Sequence, residues 1–251
     1  MSEVAGPAGT LHVDDGGAGG IPVVLIHSFG GSSAQWAAQL EHLRRTRRAV
    51  AFDLRGHGRS DAPADGDYTV GSLAGDTGAV LDALALSKVV LVGHSLGAAV
   101  AIEYAGGHAD RVAGLLLNGA PARVPRERAE QIMTAMEADY EGTSTAFTTR
   151  LLKAAKPAVR AVVARDSERI PEDAALRIMR ATFEYDPVPA LERYRGPKQA
   201  VTTPGGDTAY DLHNLVADLP REEIRGTSHW LQMDEPDEFN RIMDRLLERV
   251  G

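Results

Sequence analysis

The segment Gly93-His94-Ser95-Leu96-Gly97 decides the fold of this 251-residue chain. It follows the apolar run 89–92, which is typical of a buried strand, and leads into the alanine-rich run 96–105, which is typical of a helix. So sharp a turn forces unusual backbone angles, and glycine on both sides removes side chains that would collide with neighbouring backbone. The pattern therefore predicts that Ser95 is held at the carboxyl-terminal edge of a sheet.

A serine in this position is a candidate nucleophile. Its hydroxyl is exposed at the sheet edge, and the free N–H groups of the new helix point toward any developing oxyanion. A nucleophilic serine needs a base, and the segment Gly226-Thr227-Ser228-His229-Trp230 offers His229 between a predicted strand at 222–225 and a predicted helix at 237–250. Because Ser95 and His229 are far apart along the chain, only the fold can bring them together.

A second glycine-rich segment, His27-Ser28-Phe29-Gly30-Gly31, ends the apolar run 23–26. Glycines let a backbone N–H approach a substrate oxygen closely. We call this segment the glycine loop. A third segment, Asp53-Leu54-Arg55-Gly56-His57-Gly58-Arg59-Ser60, follows the strand-like run 49–52. We interpret it as a structural turn in which the glycines adopt special angles and two side chains, Asp53 and Arg55, anchor the loop.

These motifs, in this order, resemble the α/β-hydrolase superfamily, in particular its members with a serine nucleophile, the esterases and lactonases. The resemblance covers residues 20–120 and 197–250. It implies an α/β fold with a mostly parallel central sheet and helices on both faces. It also implies that the N–H groups of Phe29 and Leu96 form the oxyanion hole. Glycine is usual where this chain has Ser28, which we predict, together with Trp230, to contact the substrate.

The order nucleophile, acid, histidine in this family places the acid after the predicted strand 198–203. The next turn is Pro204-Gly205-Gly206-Asp207-Thr208, so we predict Asp207 as the acid, with Asp211 as the alternative. A second family position for the acid holds Asn118-Gly119-Ala120 and has no carboxylate. We interpret Asp234 and Glu235 as acids at the amino-terminal end of the last helix.

Residues 121–195 interrupt the alternation of strands and helices. Helices are predicted there at 126–140, 144–153, 157–166 and 171–183. The resemblance implies a small helical cap over the site, with residues 1–120 and 196–251 forming the core domain. The alternative is helical decoration of the sheet edge.

Amino-acid composition and net charge exclude several kinds of partner and of catalytic group. A hydrophobic content of 43% and a charged content of 25% are typical of a globular protein. The net charge of −8 argues against nucleic acid and anionic membrane as partners. The absence of cysteine excludes disulfides and thiolate nucleophiles. No run of 18 apolar residues occurs, and the first seven residues lack a secretory pattern, so we expect a cytoplasmic location.

We therefore expect an enzyme that hydrolyses small carboxylic esters or lactones through an acyl-enzyme, without metal or cofactor. Epoxide hydrolases and haloalkane dehalogenases of this fold have an aspartate at the nucleophile position, so Ser95 argues against both. Three reactions that use the same triad stay open: C–C bond hydrolysis, cofactor-free perhydrolysis and enol-lactone hydrolysis. A non-catalytic ligand-binding protein on the same fold is the remote alternative, and the oligomeric state is not readable from the sequence.

Overall fold

The residues that the structure describes are organised around an eight-stranded sheet. The computed structural model describes residues 2–121, 124–204, 212–216 and 218–251. The strands in chain order are β1 (Ser2–Gly6), β2 (Gly9–Gly16), β3 (Val23–Ile26), β4 (Ala49–Phe52), β5 (Val89–His94), β6 (Val112–Asn118), β7 (Lys198–Thr202) and β8 (Arg221–Glu223).

The strand order across the sheet is β1-β2-β4-β3-β5-β6-β7-β8. The pairs β1–β2 and β2–β4 are antiparallel, and every later pair is parallel. Parallel strands need crossover connections, which the chain supplies as helices. The predicted fold, a mostly parallel sheet in an α/β-hydrolase arrangement, is confirmed.

Helices cover both faces of the sheet. Along β3, Val24 and Ile26 face one apolar cluster, while Val23 and Leu25 face the other. This alternation of buried residues explains why the central strands are apolar throughout. The helices are α1 (Ala37–Leu43), α2 (Val70–Ala83), α3 (Leu96–Gly107), α4 (Arg126–Ala138), α5 (Tyr140–Leu151), α6 (Pro157–Ser167), α7 (Glu172–Glu184), α8 (Val188–Arg193), α9 (Leu212–Leu215), α10 (Leu231–Asp234) and α11 (Pro236–Val250).

In the described part of the chain between β6 and β7 lie the helices α4 to α8. We call residues 121–195 the helical insertion. The four helices predicted there correspond to α4, α5, α6 and α7. The fifth, α8, packs on α3, where the backbone of Ala190 lies against Gly106. Within the described residues, no helix is long and apolar enough to cross a membrane.

The loop after β4 is held by two buried side chains, as predicted. The Arg55 guanidinium forms two hydrogen bonds of 2.6 Å to the Asp76 carboxylate, and both side chains are almost fully buried. The Asp53 carboxylate accepts the backbone N–H of Ser33 at 2.6 Å and that of Arg59 at 3.0 Å. The role of Asp53 and Arg55 as anchors of this loop is confirmed.

Replacing Asp53 by asparagine should lower the free energy of unfolding by about 1.5–3 kcal/mol, the typical value of a hydrogen bond to a charged group. An asparagine keeps one acceptor oxygen, but its NH₂ group then faces a backbone N–H. Urea denaturation measures the loss. The exposed Asp61, which accepts the Thr10 N–H, provides the matched control Asp61→Asn, whose effect should stay within about 0.5 kcal/mol. Equal stability of wild type and Asp53→Asn would contradict the anchoring role.

Candidate active site

The turn at Ser95 has the strained geometry that its sequence predicts. Ser95 lies between the end of β5 and the start of α3, with φ of 52° and ψ of −115°. A positive φ is uncommon for any residue other than glycine. The neighbouring strand holds the turn in place, because the Ser95 N–H donates to the carbonyl of Asn118 at the end of β6, at 2.9 Å. The serine is therefore held at the carboxyl-terminal edge of the sheet.

The two flanking glycines are required by close backbone contacts. A Cβ on Gly93 would lie 2.3 Å from the carbonyl oxygen of Gly97. A Cβ on Gly97 would lie 2.2 Å from the carbonyl oxygen of Ile26, at the end of β3. Real Cβ atoms do not approach backbone oxygen so closely, so the glycine-serine-glycine spacing is a steric requirement of this turn. The same contact places the start of α3 directly against the glycine loop.

His229 reaches the same edge of the sheet. Its ring centroid lies 4.8 Å from that of His94, the residue next to Ser95. The end of β6 passes directly beneath it, because a Cβ on Gly119 would lie 3.3 Å from His229 Nδ1. Burial lowers the pKa of His229 to about 4. At neutral pH the imidazole is therefore uncharged, which is the form that can accept a proton.

His94 connects the nucleophile turn to the histidine loop. Its Nε2–H donates to the backbone carbonyl of His229 at 2.8 Å, and its Nδ1 accepts from Gln232 Nε2 at 3.3 Å. The Gln232 Oε1 in turn accepts from Asn118 Nδ2 at 2.7 Å. All three partners of this network are buried. Sequence reasoning missed it, because partners more than a hundred residues apart leave no periodic signal.

The interpretation of Asp234 as an acid at the start of the last helix is wrong. Asp234 is the last residue of α10, and its side chain is buried. Its carboxylate accepts the Ser228 N–H at 2.8 Å, the Ser228 hydroxyl at 2.5 Å and the Lys156 N–H at 2.9 Å. The His229 loop is therefore joined to the helical insertion through the carboxylate of Asp234. A second bond, from the His229 N–H to the Leu151 carbonyl at 3.1 Å, joins the same two segments.

The glycine loop places Phe29 between the core and the insertion. Phe29 packs against a buried methionine cluster of the insertion, and its ring meets that of His57 edge-on at 6.2 Å. His57 is itself buried. The loop adjoins an apolar wall, which is suited to an apolar part of a ligand. The methionines of the cluster are Met133, Met136 and Met179.

The two residues predicted to contact substrate are both buried. Ser28 is 2% exposed, and its hydroxyl lies 3.5 Å from Gln35 Oε1. Trp230 is 4% exposed and packs beneath the insertion, against Leu152 and Val159 among others. Its ring also meets that of His229 edge-on, with centroids 5.5 Å apart. Their roles in substrate binding stay predictions.

The candidate acids Asp207 and Asp211 lie outside the described residues. A cavity of about 190 Å³ adjoins this part of the chain. It is lined by His229 and Gly119, by Pro204 at the end of one described segment and by Leu212 at the start of the next. Both candidate acids therefore belong to a segment whose two described ends share a cavity with His229. Within the described residues, no group of three or more His, Asp or Glu side chains is arranged to hold a metal ion.

The site contains the half-buried His229 and has three buried histidines nearby, His27, His57 and His94, which makes folding sensitive to acid. Burial lowers the pKa of His27, of His57 to about 3, of His94 and of His229 to about 4. In the unfolded chain these groups protonate near pH 6.5, so the unfolded state binds more protons as the pH falls below that value. Stability is therefore complete above pH 6.5 and decreases as the pH falls toward 4.

We expect the free energy of unfolding to decrease below pH 6.5 by up to about 1.4 kcal/mol per pH unit for each of these histidines. Urea titrations at a series of pH values measure the slope. A free energy of unfolding that does not change between pH 7 and pH 5 would contradict the neutral, buried state of these rings.

Known proteins are similar to this chain in sequence over part or most of its length. A dihydrolipoyllysine-residue acetyltransferase component of an acetoin cleaving system from Pseudomonas putida is 44% identical over 103 residues, covering 41% of this chain and 27% of that protein. The chain thus matches about a quarter of the length of that relative. Epoxide hydrolase 2 of Caenorhabditis elegans is 24% identical over 272 residues, covering 94% of this chain and 76% of that protein.

The solved structure of Est816, described as an N-acyl homoserine lactone degrading enzyme, has the same fold. It superimposes with a TM-score of 0.81 at 25% identity, covering 97% of this chain and 99% of the other. A family model described as alpha/beta hydrolase fold matches residues 21–183, well over half of the chain. With the topology and the serine turn described above, this match shows that the chain belongs to the α/β-hydrolase family.

Proposed function

We propose that this protein is a serine hydrolase that cleaves small carboxylic esters or lactones through an acyl-enzyme. One observation carries the proposal. Ser95 is held in a strained turn, with φ of 52°, and its neighbour His94 is hydrogen-bonded to the backbone of His229. A candidate nucleophile and a neutral candidate base therefore lie at the same sheet edge, which supports acyl transfer as the reaction.

In this mechanism Ser95 Oγ attacks the carbonyl carbon of the substrate while His229 accepts the hydroxyl proton. The tetrahedral intermediate collapses when His229 donates that proton to the leaving alkoxide oxygen. Water then attacks the acyl-enzyme with His229 again acting as the base, and Ser95 is released. Both tetrahedral intermediates carry a negative oxygen that needs hydrogen-bond donors.

The donors are the backbone N–H groups of Leu96 and Phe29. Leu96 is the first residue of α3, and the first N–H groups of a helix have no acceptor within the helix. Phe29 lies in the glycine loop, and the loop touches the start of α3, because a Cβ on Gly97 would lie 2.5 Å from the carbonyl oxygen of His27. These two contacts support an oxyanion hole between the two segments.

The acid of the triad is Asp207 in this proposal. An acid must hold the imidazole on the side away from the serine. The end of β6, which lies against His229 Nδ1, has a glycine rather than a carboxylate at position 119. The acid must therefore come from elsewhere, and Pro204 and Leu212, which flank the segment with Asp207, line the same cavity as His229.

The choice of esters and lactones rests on the nucleophile and on one relative. The elbow residue is a serine, which forms an acyl-enzyme, whereas the epoxide hydrolases of this fold use an aspartate there. The likeness to Est816, described as a lactone degrading enzyme, favours the same substrate class. In this reading residues 121–195 form the cap, and residues 1–120 and 196–251 form the core domain. The methionine cluster beside Phe29 favours an apolar acyl group.

Release of nitrophenol from short nitrophenyl esters tests the proposal, together with a panel of lactones followed by acid release. We expect turnover by the wild type and covalent addition of a serine-directed phosphonate to Ser95. The matched control is Ser60→Ala, since Ser60 lies in the structural turn and its hydroxyl donates to the Asp53 carbonyl. Absence of both turnover and adduct would favour a ligand-binding protein on this fold.

A further inference from the structure

A buried carboxylate of the helical insertion reaches the segment that follows the glycine loop. Asp166 lies in the last turn of α6, and its side chain is 1% exposed. Its Oδ2 accepts the Ser32 hydroxyl at 2.8 Å and Gln35 Nε2 at 3.3 Å. Its Oδ1 accepts Arg165 Nε at 3.1 Å and a terminal Arg165 nitrogen at 2.9 Å. A buried carboxylate with this many donors is fixed in position.

The same contacts extend into the glycine loop. Gln35, which donates to Asp166, has its Oε1 facing the hydroxyl of Ser28 at 3.5 Å. That oxygen lies so close to Gly31 that a Cβ there would approach it to 2.7 Å. Gly30 has a φ of 70°, and a Cβ there would lie 3.2 Å from the hydroxyl oxygen of Ser167. The end of α6 is therefore close to Gly30 and is linked to Ser28 through Gln35.

A second carboxylate, from the core domain, binds the segment that follows the glycine loop. Asp53, below the loop, accepts the Ser33 N–H at 2.6 Å. Two consecutive serines are thus bound by carboxylates from different layers of the protein, Ser33 by the core and Ser32 by the insertion. Ser32 precedes a short 3₁₀ helix (Ser33–Trp36) but forms no side-chain cap on it, because its hydroxyl is directed to Asp166.

We infer that Asp166 is a positioning residue, which sets the place of the Phe29 N–H by tying the glycine loop to the helical insertion. The inference rests on the proposed function, in which that N–H stabilises the oxyanion. Donors of this kind act in the transition state, so a displaced loop lowers kcat more than it changes KM. Loss of one donor in an oxyanion hole costs about 10²–10³ in kcat, and a displaced donor costs less than a missing one.

Replacing Asp166 by alanine leaves the Ser32 hydroxyl and the Gln35 amide without their acceptor. For this variant we expect kcat for a nitrophenyl ester to fall about 10–100-fold while KM changes less than about 3-fold. The rate of phosphonate addition to Ser95 should fall in proportion, since that reaction also develops charge on oxygen. Ser32→Ala, which removes one bond and keeps the carboxylate, should lose about 3–10-fold in kcat. The control Glu137→Gln breaks an exposed ion pair of the same insertion and should leave both rates unchanged.

Hydrogen exchange provides a readout that does not depend on activity. Backbone amides of residues 28–36 should exchange faster in Asp166→Ala than in the wild type, while those of β5 and β6 should not. If the wild type hydrolyses no ester, the proposed function fails, and hydrogen exchange still decides whether Asp166 holds the loop. Wild-type kcat with unchanged exchange in a folded Asp166→Ala variant would overturn the inference, as would an effect on KM alone. If Asp166→Ala does not fold, Ser32→Ala decides by the same two measurements.

Discussion

Replacing Ser95 by alanine should lower kcat by a factor on the order of 10⁶, and replacing His229 by alanine should cost about as much. The double variant should lose little more than either single one. The reason is that the two groups act as a unit: without the base the hydroxyl is a poor nucleophile, and without the hydroxyl the base has no proton to accept. Residual activity then comes from the oxyanion hole and substrate binding alone. Steady-state kinetics on one nitrophenyl ester measures all three variants.

The thermal unfolding midpoint of each variant must be measured together with its kcat. Ser95 has a positive φ, so alanine retains the backbone strain, and the thermal unfolding midpoint should change by only a few degrees. His42→Ala provides a control histidine, because His42 pairs with Asp244 on the surface. Substantial turnover by Ser95→Ala, or labelling of another residue by the phosphonate, would refute the mechanism. Strictly additive losses in the double variant would also contradict the paired action of Ser95 and His229.

The nucleophile turn was predictable because its signal is local. Gly93 and Gly97 are required by contacts that arise wherever a strand turns sharply into a helix, so the spacing alone predicts the geometry. The strands and the helices around the turn were predictable for the same reason, since buried parallel strands are apolar throughout. The boundaries of α4, α6 and α7 follow from proline positions and amphipathic spacing, and the observed bounds agree within two residues.

What the sequence did not reveal depends on contacts between distant segments. Asp234 has the same local pattern as an ordinary acid before a helix, and only the fold brings Ser228 and Lys156 to it. Asp166 resembles a surface residue of an amphipathic helix, yet it binds Ser32 across more than a hundred residues. Such pairs have no periodicity. The short helix α8 was missed because two prolines within three residues, Pro187 and Pro189, weaken a helical pattern.

These distant contacts change what the helical insertion is expected to do. An insertion that only selected substrates could be exchanged as a whole without loss of chemistry. Here the segment from Leu151 to Asp166 binds the loop of His229 at one end and the segment after the glycine loop at the other. Exchanging the insertion should therefore preserve phosphonate addition to Ser95 only where residues 151–167 are kept.

Replacing Asp207 by asparagine should lower kcat by a factor on the order of 10⁴ with little change in the free energy of unfolding. The physical reason is that an amide can present an N–H where the imidazole needs an acceptor, which favours the wrong tautomer of His229 while packing is preserved. Asp211→Asn is the matched control, with the same chemical change four residues further along. It should reduce kcat less than tenfold.

The two variants are compared because the described residues on either side of the segment that contains both aspartates line one cavity. Pro204 lies three residues before Asp207, and Leu212 directly follows Asp211, and both residues line the cavity beside His229. A loss of about 10⁴ in Asp211→Asn with a mild effect in Asp207→Asn would move the acid four residues along and leave Ser95 and His229 in place. Mild effects in both variants would show that no carboxylate of this segment orients the base. The buried His94–Gln232 network would then be a candidate for orienting His229, and Gln232→Leu should in that case reduce kcat where either aspartate variant does not.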